Sequence, residues 1–163
     1  DDLFLRLVEV LRRAQISFVT DPHTGSLCTR AMELDGLGLP VALGQDDIAD
    51  AYYPFGQHNM LEVAFLAAHI LGENTTGGMN RLFDMITTRA ADVLRFRSHR
   101  LEEGAKANVV VLDGSDLREV FTRHRPPLFV ITGGRLIGSN RFESVLNEDA
   151  LTGKATPNQT HGG

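Results

Sequence analysis

Pro40-Val41-Ala42-Leu43-Gly44-Gln45-Asp46-Asp47-Ile48-Ala49-Asp50-Ala51-Tyr52-Tyr53-Pro54 decides how this chain is read. Its first four residues are an apolar run short enough for one buried strand. Asp46 and Asp47 then stand at the C-terminal end of that strand, where α/β enzymes keep their chemistry. Side chains alternate along extended backbone, so the two carboxylates diverge and only one can aim at a barrel axis. A carboxylate in that place can bind a divalent metal ion and accept a proton from a metal-activated water. The same Asp-Asp pair can equally cap a turn.

Upstream, residues 16–20 read as a second strand, ended by Asp21-Pro22-His23-Thr24-Gly25. Before it, Leu3, Leu5, Leu7, Val8, Val10 and Leu11 alternate with charged residues at helical period, and Asp1 and Asp2 suit the helix N-terminus. Residues 26–39 are a loop or short helix. Downstream, residues 59–71 are apolar nearly all round, which predicts a helix buried on most sides, with Gly72 as its stop. A second helical stretch runs from Met79 to about Phe96, with a break at Thr87-Thr88.

After Gly104 the character becomes β. Residues 107–113 are a β-rich run, and 115–124 predict a short helix with Ser115 as N-cap. Residues 128–132 and 135–138 predict a hairpin about Gly133-Gly134. Residues 152–163 predict a disordered polar tail. Two parallel-type strands cannot close a barrel, which takes about 250 residues. The expected fold is therefore α/β: the last two strands and following helices of a (β/α)8 barrel over 1–98. A segment of a small accessory β-sandwich follows over 99–145, and a flexible tail over 146–163.

The 163 residues are 42% hydrophobic and 23% charged, an ordinary globular composition. The net charge is −5 and the 16 basic residues are dispersed, so no footprint for nucleic acid or an anionic membrane is present. No apolar run approaches the roughly 20 residues that span a bilayer. Cys28 is the only cysteine, which excludes an intrachain disulfide and fits a reducing, cytoplasmic setting. The chain opens in a helical pattern without Met at position 1, so it is expected to begin inside a larger protein.

With Gly44, Asp46, Asp47, Tyr52, Tyr53, Pro54, Asn59, Met60 and Leu61 in this order, the segment resembles the cytosine deaminases of the amidohydrolase superfamily. Ile86-Thr87, residues 104–112 and Gly133-Gly134-Arg135-Leu136-Ile137 continue the likeness, which covers roughly residues 3–140. The resemblance implies hydrolysis of an exocyclic amine of cytosine or a related nitrogen heterocycle. It implies one divalent metal, zinc or iron, in the intact enzyme. Asp46 is then the last metal ligand and the proton acceptor from the attacking water. Asp47 borders the substrate, and Tyr52 is a lid or wall against a planar ring.

Three departures accompany it. The His-x-His pair of the first barrel strand is absent. So are the later ligand His and the catalytic Glu and His. Arg100 stands where the family usually has Gly, and the stretch between Cys28 and Pro40 is shorter than expected. Three protein ligands are typical of a catalytic site, so the chain alone is expected to bind metal weakly and to be inactive. The partner it implies is the missing N-terminal half of the barrel. A homo-oligomer, a non-catalytic binding domain and one chain of a split enzyme remain open.

Among other candidates, His23 follows a strand end and could line the same mouth, or simply make local loop hydrogen bonds. His58 and His69 are about three turns apart on one helix, too far for one metal. His99, His124 and His161 lie in polar segments without a pattern, and Cys28 reads as a small buried residue.

Overall fold

The computed structural model describes residues 2–23, 30–46, 48–96 and 99–146. The polar tail therefore lies outside the described residues, as do Asp47 and Cys28. Helix α1 (Asp2–Arg13) forms where its period predicts, with Asp2 at the N-terminus paired to Arg6 at 2.7 Å. It buries Val8 and leans Phe4 and Leu11 on the core, while Leu3, Leu5, Leu7 and Val10 stay exposed.

Strand β1 (Phe18–Thr20), helix α2 (Ala31–Gly36) and strand β2 (Val41–Leu43) form a parallel strand–helix–strand unit. Phe18 stands opposite Val41, Val19 opposite Ala42, and Thr20 opposite Leu43. Parallel neighbours need a crossover, and α2 lies in it. Its Asp35, only 3% exposed, is the anchor of that crossover. Arg81 donates to Asp35 Oδ2 through Nε at 3.1 Å and Nη2 at 2.8 Å, and Arg89 pairs with Oδ1. Arg81 Nη2 also reaches the Met32 carbonyl at 2.8 Å.

Helix α3 (Met60–Leu71) begins on Asn59, whose Oδ1 accepts from the Leu61 N–H at 3.1 Å. It ends on Gly72 in the left-handed conformation, φ 70°. Leu61, Val63, Ala64 and Ala67 are buried, yet Ile70 is exposed and Phe65 and Leu66 are half-buried. Burial on most sides is thus not reached, because helices α4 and α6 cover only part of its circumference.

The next helical stretch divides into α4 (Thr76–Ile86) and α5 (Thr88–Val93). It starts ahead of Met79 because Thr75 accepts the Gly78 N–H at 3.0 Å and so caps an earlier turn. The break falls at Thr87, whose backbone leaves the helical region at φ −128° and ψ −97°. Its hydroxyl donates back to the Phe83 carbonyl at 2.7 Å.

Strands β3 (Val109–Val111), β4 (Phe129–Thr132) and β5 (Arg135–Ser139) form an antiparallel sheet in the order β3-β4-β5. Gly133 and Gly134 turn the β4–β5 hairpin with φ 56° and 77°, the positive pair that a two-residue turn requires. Helix α6 (Leu117–Arg123) is capped by Asp116, not Ser115. Asp116 Oδ1 accepts the Glu119 N–H at 2.8 Å. Ser115, one residue early, instead donates its N–H and hydroxyl to Glu119 Oε2 at 2.7 and 3.0 Å. Those two bonds, aided by Arg123, hold the Glu119 carboxyl below its usual pKa.

One core joins these parts. Val41 and Leu43 of β2, Leu61 and Ala64 of α3, Leu82 and Met85 of α4, and Val120 and Phe121 of α6 belong to the same buried cluster. No described helix is long and apolar enough to cross a membrane.

Candidate active site

The parallel pair has two unlike faces. Val41, Leu43 and Phe18 pack into the helical core. Val19, Ala42 and Gly44 alternate onto the other face, where Val19 is 59% exposed. Gly44 is needed there, because a Cβ on it would lie 2.7 Å from Val19 Cγ1. The Gly44 N–H extends the ladder by one bond, to the Thr20 carbonyl at 2.9 Å. Continuing the alternation sends Gln45 back toward the helices, and Asp46 follows where the backbone turns. Burial agrees, since Gln45 is buried and Asp46 exposed.

Asp46 is where extended backbone ends, at φ 49°. Ala49 and His58 in the same loop also have positive φ, at 54° and 52°. Non-glycine residues in this region are uncommon and concentrate where a site imposes a backbone shape. Asp50 holds the loop's middle. Its Oδ1 accepts from the Tyr52 and Tyr53 N–H groups at 2.8 and 3.0 Å. That turn throws Tyr52 outward, 89% exposed, and Tyr53 inward.

Tyr53 meets His23. Their ring centroids are 4.2 Å apart, edge to face. His23 is 2% exposed in its side chain and sits just past the end of β1. Asp21 Oδ1 takes its Nδ1 proton at 2.6 Å and its backbone N–H at 2.9 Å. The imidazole is therefore oriented by a carboxylate, with Nε2 buried and lacking a hydrogen-bond partner among the described residues. The Tyr53 phenol is pushed above its usual pKa by burial, then by the negative charges of Glu62 and Asp21.

Of the three residues singled out for chemistry, Asp46 and Tyr52 thus lie in one loop at the end of β2, both exposed, and Asp47 is outside the described residues. The sequence offered His23 as a residue that could line the mouth or make local loop hydrogen bonds; the bonds to Asp21 are local, and Tyr53 was not named as its neighbour. His58 is exposed, and His69 is exposed with Nδ1 2.8 Å from the Phe65 carbonyl. His124, read as patternless, ends α6 and stacks on Phe65 at 4.4 Å. Arg100 pairs with Asp92 at 3.0 Å. Among the described residues no group of three His, Cys, Asp or Glu could hold a metal ion. Asp46 is the right donor for one bond of such a site and not for a whole site.

A domain described as "Amidohydrolase family" matches residues 2–137, and the chain belongs to that family. N-isopropylammelide isopropyl amidohydrolase of Pseudomonas sp. (strain ADP) is 30% identical over 101 residues, 61% of this chain and 25% of that protein. Among solved structures, 5-methylcytosine deaminase from Klebsiella pneumoniae liganded with 5-fluorocytosine superposes with a TM-score of 0.79 at 27% identity. It covers 91% of this chain and 40% of the other. N-isopropylammelide isopropylaminohydrolase from Burkholderia multivorans ATCC 17616, at 23% identity, shares the fold with a TM-score of 0.77 over 83% of this chain and 35% of its own. The likeness implies a barrel-type enzyme, and the resemblance to cytosine deaminases read from the motifs holds. The relatives are hydrolytic deaminases and amidohydrolases, and enzymes of this superfamily use a divalent metal. The chain spans a quarter to two fifths of these proteins.

Proposed function

We propose that this chain is the C-terminal part of a cytoplasmic, metal-dependent deaminase that hydrolyses an exocyclic amine of cytosine or a related nitrogen heterocycle. The observation that carries the reading is Asp46: exposed, in left-handed backbone, just past the C-terminal end of a parallel strand. The family match spans it. Asp46 supplies one metal bond and accepts the proton of the attacking water, while Tyr52 and Asp47 border the ring. A divalent ion, zinc or iron, supplies the polarisation that makes water nucleophilic at neutral pH. The other donors come from the remaining barrel strands, in the same or a separate chain. Residues 1–98 are the barrel portion and 99–145 the accessory segment in this reading.

The test begins with the coding sequence upstream of Asp1, where an early strand followed by His-x-His is expected. The 163-residue chain alone is then assayed against aminopyrimidines and aminotriazines with metal analysis, beside the protein completed with those strands. The chain alone is expected to show metal well below one per chain and no turnover. The completed protein should turn over, and Asp46→Asn should lower its rate by about a hundredfold or more, as for loss of a group that moves a proton. Metal near one per chain with turnover by the chain alone refutes the reading.

A further inference from the structure

Among the described residues, the Asp46 loop meets the end of β1 through the rings of Tyr53 and His23. The Asp50 turn ties the loop to itself, and the Gln57 N–H bond to Glu62 Oε2 at 3.2 Å ties its far end to α3. Toward β1, Tyr53 is the residue that reaches across, onto the face of His23. His23 in turn cannot rotate freely, because Asp21 Oδ1 holds both its Nδ1 and its own backbone N–H.

A packing residue does not need this arrangement. Leucine would fill the place without burying an Nε2 that has no partner among the described residues, and buried polar atoms without partners are rare. What imidazole supplies and leucine cannot is a flat ring whose plane is set by a carboxylate. An aromatic edge packs on such a face in one orientation. Burial and the charges of Glu62 and Asp21 also hold the phenol above its usual pKa, so the Tyr53 side of the contact carries no charge.

We propose that Asp21, His23 and Tyr53 form a latch between the ends of the two strands that fixes the conformation of Asp46 and residues 48–53 at the barrel mouth. Asp21 and His23 are positioning residues for Asp46 and Tyr52. What the latch serves rests on the reading of Asp46 as a site residue; the latch itself does not.

Nuclear magnetic resonance on the 163-residue chain tests it without metal or substrate. His23→Ala should speed amide exchange at Tyr52 and Tyr53 about tenfold and move the Asp46 carbon shifts from left-handed toward random-coil values. Amides of α3 and α4 should not change. Because an alanine in a buried place can unfold the chain, Asp21→Asn is the second variant. It keeps the shape and should raise the same exchange rates two- to threefold. His23→Asn offers an amide N–H in place of Nδ1–H but no ring, and should resemble His23→Ala. His23→Phe keeps the ring and should recover part of the protection. Unchanged exchange and Asp46 shifts in folded His23→Ala, or in Asp21→Asn if the alanine variant unfolds, overturn the latch. Asp46→Asn should leave loop exchange unaltered. A failure of Asp46 as a ligand would show in metal content and turnover alone, and a failure of the latch in exchange.

Discussion

The two ends of the β1–β2 pair are built on opposite terms. At the entry to β2, Asp35 is buried and answered by two guanidinium groups, and Leu39 and Pro40 seat the strand behind it. At the exit, Asp46 is exposed in a backbone conformation that few aspartates adopt, and His23 Nε2 and Gln45 Nε2 are buried without partners among the described residues. One end answers its buried charge with ion pairs, and the other leaves buried side-chain nitrogens without partners among the described residues. In parallel α/β folds the first arrangement belongs to stability and the second to function. The difference teaches that this short pair carries both tasks within a few residues of each other.

The contrast can be broken most sharply at Asp35. Asp35→Ala strands the facing charges of Arg81 and Arg89 and should cost about 3 kcal/mol. That is the low end for a broken buried pair, since both guanidiniums keep contact with water. Urea unfolding of the chain measures it. Next, Asn59→Ala should cost about 1–2 kcal/mol in the same measurement, by removing a helix cap and the bond from Nδ2 to the His124 carbonyl at 2.8 Å. Gly44→Ala should cost about 1 kcal/mol through its clash with Val19, and Val19→Ala in the same chain should recover most of it.

Asp46 should respond in the opposite sense. Asp46→Gly relieves positive φ and should be neutral or stabilising by up to about 0.5 kcal/mol, while abolishing turnover in the completed protein. A clear loss of stability would mean that Asp46 is structural and would erase the contrast. The smallest expected effect is spectroscopic. In an alkaline titration by phenolate absorbance, Tyr53 should ionise above the ordinary tyrosine range, and Tyr53→Phe should remove that component. A folded pKa raised above the unfolded one adds stability that is complete below the unfolded value. That stability is lost as pH climbs through the folded value.

Local pattern was enough for much of the fold. The apolar run at β2, the Gly-Gly hairpin and the Asn59–Gly72 helix each carry their own signal within a dozen residues. Thr75 was overlooked because Gly77 and Gly78 look like a loop, and the cap that rescues them is a single hydroxyl. The Asp46 position at a strand end was legible from the apolar run that precedes it. Its surroundings were not. Tyr53 meets His23 across the α2 crossover, and Arg81 meets Asp35 46 residues away. Such pairs leave no periodicity behind, since only the folded chain makes them neighbours.

Asn59 gives the fold a shared hinge of cooperativity. With Oδ1 it starts α3, and with Nδ2 it holds the carbonyl at the end of α6. Fraying at the first turn of one helix is therefore coupled to fraying at the last turn of the other, by roughly the worth of one hydrogen bond. Loosening the β-rich half should fray α3 at the end that adjoins the Asp46 loop, so a disturbance far along the chain is felt at the strand exit.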